Sequence, residues 1–339
     1  MDRTINGSRR EDMSRKFTAV ILLVLWGLST GVLAESTATQ FARSVVKIES
    51  AIEPTGRTVA MLGSERSGSG VVLDSTGLIV TVGYLLLEAR EILVTFGSDK
   101  PVAAEIVVND HATGLALLTS ELPPDIVPLS LGDSALIGIE DDVVVLPHGG
   151  TDVAHVTRVA DIREFAGSWE YLIDRAIYTA PATRVFSGAA LINRDAELIG
   201  IGSLLLSNVY SGGPHAENRA QSVNGNLFIP VEHLQSSMGH FLNGQPSVDA
   251  RPWLGTILNE AVPDLEIVRV AEESPAAMAG LQQRDKIISI NNIRVTTMAD
   301  FYQQLWDGQV GDSVDLLIVR QDRVMRVAVS TADRSIWLR

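Results

Sequence analysis

The chain contains no cysteine. That one absence excludes disulfides, thiolate metal sites, a cysteine nucleophile and a lipidated N-terminal cysteine together. It has no run of five or more Lys/Arg and a net charge of −14, which argues against nucleic acid as a partner. Its six histidines are His111, His148, His155, His215, His233 and His240. No two of them stand at metal-ligand spacing with a supporting carboxylate, so no metal and no other cofactor is expected. There is no internal repeat and no low-complexity tract.

What is present is enough apolar residue, 46% against 20% charged, to build real cores over 339 residues. That length suggests about two domains. The first sixteen residues carry five basic and three acidic side chains, and "FTAVILLVLWGLSTGVLA" (17–34) carries no charge. The run ends in Val32-Leu33-Ala34, with small residues where a signal peptidase reads them. Residues 1–34 therefore read as a secretory signal peptide, with Met13 as an alternative start. The rival reading is an uncleaved anchor, because the uncharged run is close to the minimum span. That would hold the protein to the inner membrane and is the one membrane contact expected.

From 43 to 240 the chain alternates short Val/Ile/Leu runs with Gly, Asp and Asn turns, such as "DSTG" and "NRDAE". Turn signals recur about every 8–12 residues, which predicts an antiparallel all-β barrel or sandwich. "VEHLQSSMGHFLNG" (231–244) predicts a closing helix with Val231, Leu234, Met238 and Phe241 on its apolar face and Gly244 as its stop. Residues 245–251 read as a linker. A second unit over 252–333 alternates strands with two short helices.

In that second unit "SPAAMAGLQQRDKIISINNIRV" resembles the core of bacterial PDZ domains. One departure is Arg284-Asp285 in place of the usual Gly-Asp. The resemblance implies peptide capture by β-strand addition, with backbone N–H groups holding a C-terminal carboxylate. It assigns the carboxylate loop to Trp253-Leu254-Gly255, the receiving strand to Thr256-Ile257-Leu258, and the far wall of the groove to Phe301 and Leu305. Peptides or protein C-termini are the partners this implies.

Four stretches upstream, "GSGVVLDSTGLIVT", "VPLSLGDSALIGIEDDVVVL", "SGAALINRDAELIGI" and "NLFIPVEHL", resemble the HtrA (DegP-like) serine proteases. This implies a mainly β protein: a chymotrypsin/trypsin-like double barrel over 35–244, then the PDZ domain. It also implies a periplasmic location, and a homotrimer formed through the N-terminal segment. The family's nucleophile motif falls on Val185-Phe186-Ser187-Gly188-Ala189, where the serine survives. Tyr84 stands at the family's histidine position and Gly114 at its aspartate position. The oxyanion donors become the N–H groups of Val185 and Ser187. A phenol with an ordinary pKa near ~10 is no general base at neutral pH. Gly114 has no side chain with which to orient anything.

The expectation is a pseudoprotease, with Ser187 a vestigial nucleophile, that binds C-terminal or unfolded peptides in protein quality control or regulation. Two alternatives stand beside it. One is an active serine endopeptidase rebuilt around Ser187, with His111 or a loop histidine as base. The other is a PDZ adaptor in which the barrels are a spacer.

Overall fold

The computed structural model describes residues 41–210, 223–248, 250–261 and 264–338. The expected signal peptide, the trimer-forming segment and His215 lie outside the described residues. Six strands, β1 (Val45–Ile52), β2 (Glu65–Val72), β3 (Leu78–Val82), β4 (Ala89–Thr95), β5 (Val102–Asn109) and β6 (Leu115–Ser120), close into a barrel in the order β1-β2-β3-β6-β5-β4. Six more form a second barrel: β7 (Asp142–Leu146), β8 (His155–Gly167), β9 (Tyr171–Ala180), β10 (Ala190–Ile192), β11 (Leu198–Leu206) and β12 (Gly225–Pro230). Closure leaves neither sheet with a free edge.

The turns form for local reasons. Asp74 Oδ1 accepts from the Thr76 N–H at 2.8 Å and from its hydroxyl at 2.6 Å, which folds the β2–β3 hairpin. Asn193 Oδ1 accepts from the N–H groups of Asp195 and Glu197 at 3.0 and 2.9 Å and folds the β10–β11 hairpin. The Val/Ile/Leu runs between such turns supply the core, with Val46, Ile48, Ile79, Leu117 and Ile229 buried.

A short helix, α1 (Val59–Leu62), decorates the first barrel, and α2 (Val231–Phe241) closes the second. α2 buries Val231, Leu234 and Phe241 and half-buries Met238, the predicted stripe. It stops three residues before Gly244 because the Gly244 N–H turns back to the Phe241 carbonyl at 2.8 Å.

The predicted linker is tied down. The Ser247 hydroxyl and N–H both donate to the Asp110 carboxylate, at 2.6 and 3.3 Å. Beyond it, β14 (Thr256–Ala261), β15 (Asp264–Val270), β16 (Lys286–Ile290), β18 (Ser313–Arg320) and β19 (Arg323–Ser330) form one sheet, with β17 (Ile293–Arg294) on β16. β13 (Pro252–Trp253) pairs with β20 (Ala332–Asp333), and helices α3 (Pro275–Met278), α4 (Met298–Trp306) and α5 (Arg334–Trp337) complete the unit. Thr297 and Asp300 make a reciprocal capping box at the start of α4. Asp285, fully buried, pairs with Arg320 at 2.6 Å and accepts from the Gln282 N–H, so the Arg284-Asp285 departure keeps its acidic anchor.

Candidate functional site

Ser187 lies on the turn before β10, and its carbonyl accepts from the Ser69 N–H of β2 at 2.7 Å, across the cleft between the barrels. Tyr84 follows β3 in a 3-10 turn (Gly83–Leu85) and reaches into the same cleft. Its Oη is 2.6 Å from Ser187 Oγ and 3.0 Å from the Ser203 carbonyl oxygen. A carbonyl only accepts, so the one phenol proton serves Ser203 and the Ser187 hydroxyl donates to Tyr84. Burial of the ring pushes the Tyr84 phenol up to about 12, and the Ser187 hydrogen bond only partly offsets this.

The position expected to lack an aspartate is occupied from the other barrel. Gly114 is left-handed, with φ +75°, and a Cβ there would lie 2.6 Å from Tyr171 Oη and 2.7 Å from its ring. Tyr171, buried on β9, donates to the Thr113 carbonyl at 2.9 Å and stacks on Trp169. Between Tyr84, Gly114 and Tyr171 remains a cavity of about 40 Å³. The Val185 N–H, expected in the oxyanion hole, turns to Thr183 Oγ1 at 3.4 Å.

Among the described residues, no histidine is hydrogen-bonded to Ser187. Burial first, then the Arg334 charge, lowers His111 to about 4; it lines the space beside the linker. His148 Nδ1 is 3.0 Å from Ser69 Oγ, and burial lowers its pKa. His233 sits 3.2 Å from Asp174, and His240 is exposed. The His233 side chain is 26% exposed. Among the described residues, the hydroxyl partner of Ser187 is Tyr84.

The phenols carry a pH prediction. Burial raises Tyr84 and Tyr178 to about 12, and raises Tyr171, Tyr210 and Tyr302 as well. In the unfolded chain all five ionise near ~10. The stability from keeping them neutral is thus whole below pH ~10 and is lost as pH rises through about 12. Spectrophotometric titration of the native protein should show tyrosinate from no more than one residue at pH ~10. Alkaline unfolding should release the rest together.

In the C-terminal unit the predicted carboxylate loop does hold a carboxylate. The N–H groups of Leu254, Gly255 and Thr256 point at Glu170, with Gly255 at 3.0 Å from Oε1 and Leu254 and Thr256 within 3.3 Å. Glu170 belongs to the loop between β8 and β9. The Leu258 N–H of β14 donates to the Ser168 carbonyl at 2.9 Å. Tyr302 Oη donates to the Gly167 carbonyl at 2.6 Å and accepts from the Glu170 N–H at 3.1 Å. Burial pushes the Glu170 carboxyl up to about 7, against the pull of the three N–H groups and the Arg334 charge.

Phe301 and Leu305, assigned to the groove wall, lie on the helix that contacts the β8–β9 hairpin. Both are fully buried in the core of this unit, and Tyr302, one position on from Phe301, meets the groove's occupant. Helical spacing puts Phe301 and Leu305 on one face of α4. Trp253 is buried against Trp337, with centroids 4.9 Å apart, and Ile257 is half-buried on β14. Glu170, Tyr171, Tyr302 and Arg334 were not predicted. The cue for the first two was weak: a Trp, a Glu and a Tyr crowded into one hairpin turn.

Two closed barrels meeting at a serine turn, followed by a sheet whose loop cradles a carboxylate, define a trypsin-like peptidase domain joined to a PDZ domain. Residues 68–201 match the trypsin-like peptidase domain family and residues 266–320 the PDZ domain. The chain is 26% identical over 275 residues to the periplasmic serine endoprotease DegP of Salmonella typhimurium, covering 77% of this chain and 55% of that one. It is 24% identical over 284 residues to the serine protease Do-like HtrA of Lactobacillus helveticus, covering 76% and 66%. A solved structure, the HtrA-type protease AlgW with decapeptide, superposes with a TM-score of 0.51 at 18% identity, over 88% of this chain and 98% of that one. The chain thus carries a trypsin-like peptidase domain and a PDZ domain and is similar to the HtrA and DegP proteases. It spans about half the length of the DegP relatives it matches.

Proposed function

We propose that this chain is a periplasmic HtrA-family pseudoprotease, which binds peptides or unfolded segments in protein quality control or regulation. The observation that carries this reading is the Tyr84 hydroxyl at 2.6 Å from Ser187 Oγ. Acyl transfer needs a group that takes the serine proton near neutral pH. Tyr84 is raised to about 12 and already spends its own proton on the Ser203 carbonyl. Loss of the base alone costs on the order of 10⁶ in turnover in a well-studied hydrolase. The filled Gly114 position and the diverted Val185 N–H support the same reading. The periplasmic location rests on the sequence of residues 17–34 and on the named location of the DegP relative.

The test is fluorophosphonate labelling of the full chain, with an active serine protease alongside. Ser187 should label more slowly by several orders of magnitude, and casein should remain intact. Labelling at the rate of the active enzyme, abolished by Ser187→Ala, would overturn the reading.

A further inference from the structure

The loop from 168 to 170 sits in the PDZ groove in the geometry of a bound peptide. In β-strand addition the ligand runs antiparallel to the receiving strand and its carboxylate ends in the N–H loop. Thr256 and Leu258 are two residues apart on β14. Their partners, Glu170 and Ser168, are two residues apart in the opposite direction. The Glu170 side chain stands in for a C-terminal carboxylate, and the Ser168 carbonyl makes the strand-pairing bond.

A second observation is independent of those contacts. The β8–β9 loop has three residues, because Gly167 pairs with Tyr171. In such loops the last residue is usually left-handed and usually Gly. Glu170 takes that conformation, φ +60°, although a side chain there is strained. The loop gains nothing from a side chain at 170; the groove does. Arg334 adds a third contact by donating to the Trp169 carbonyl at 3.3 Å.

We infer that the β8–β9 hairpin is a tethered ligand of the chain's own PDZ groove, and that a free C-terminus binds only by displacing Glu170. Tethering sets a local concentration on the order of mM. An outside peptide then binds with its intrinsic affinity multiplied by the open fraction. The inference rests on the peptide-binding reading of the PDZ unit and not on the loss of proteolysis.

The probe is a fluorescein-labelled peptide, Glu-Phe-Ala-Gly-Ser-Trp-Val with a free C-terminus. It copies residues 164–169 and supplies a main-chain carboxylate in the register of Glu170. Its affinity for the full chain is measured by anisotropy beside Glu170→Ala and the shape-preserving Glu170→Gln. Glu170→Ala should bind at least ~10-fold tighter than wild type. Glu170→Gln should move the same way, and the amidated peptide should bind none of them. Hydrogen exchange at 254–258 is followed in parallel and should quicken in both variants.

Wild type binding within twofold of Glu170→Ala would overturn the inference. So would unchanged protection at 254–258 in the variants. Quickened exchange without peptide binding would uphold the tethered hairpin and sink the peptide-binding reading instead. Fluorophosphonate labelling bears on neither result.

Discussion

Writing the missing pair back into the cleft, Tyr84→His with Gly114→Asp, should not give a peptidase. The aspartate Cβ would lie 2.6 Å from Tyr171 Oη and 2.8 Å from Cζ. Tyr171 cannot swing aside cheaply: it is buried, bonded to the Thr113 carbonyl and stacked on Trp169. Gly114 is also left-handed, with φ +75°, where a side chain carries strain, though less for aspartate than for most residues. Overpacking and strain together should cost about 3 kcal/mol or more, seen as a lower Tm than Tyr84→His alone. Casein cleavage should stay at the Ser187→Ala background.

Adding Tyr171→Ala makes room for the carboxylate, but the Val185 N–H still faces Thr183. One missing oxyanion donor leaves a deficit of about 10²–10³. Ser187-dependent turnover in the double variant would show that Tyr171 yields and that the site is closer to catalysis than its geometry allows.

Gly188→Ala should cripple the fold. Gly188 has φ +70°, and a Cβ there would stand 1.9 Å from the Ser69 carbonyl oxygen and 2.6 Å from Thr81 Oγ1. The first obstacle is backbone of the opposite barrel, which cannot rotate away. It belongs to the residue whose N–H already bonds the Ser187 carbonyl, so moving it opens the contact between the barrels. Left-handed strain and the clash should together cost about 3–6 kcal/mol. Against a typical stability of about 5–15 kcal/mol, the variant should be recovered poorly or melt far below wild type. Ser187→Ala should be close to neutral by comparison, losing only the hydrogen bond to Tyr84, about 1 kcal/mol. A Gly188→Ala protein as stable as Ser187→Ala would contradict this. The Ser-Gly step therefore has a structural reason to persist without catalysis, and that reason lies in the glycine.

Much of this was legible in order of contact range. The barrel strands follow from apolar runs bounded by turns such as Asp74–Gly77 and Asn193–Glu197, whose hydrogen bonds are local. Ser187, Tyr84 and Gly114 could be placed because their motifs keep their spacing. What fills the vacated positions could not be read in advance. Tyr171 looks like any core residue of β9, yet its partner Thr113 is 58 residues away. Glu170 looks like a turn residue, yet it meets a loop 84 residues later. Tyr302 was missed for the opposite reason: it adjoins Phe301 on the same helix, and only the hairpin 132–135 residues earlier in the chain gives its hydroxyl a partner.

The separation between Glu170 and its cradle also sets an order of events during synthesis. The last barrel strand ends at Pro230, before Leu254, Gly255 and Thr256 are made. Domains generally fold as units, the N-terminal one first. The nascent second barrel thus presents Glu170 on a finished hairpin, ionised and hydrated, while its receptor is still emerging. The PDZ unit then folds onto a segment already waiting at its groove, and Arg334, near the end of the chain, closes over that contact last.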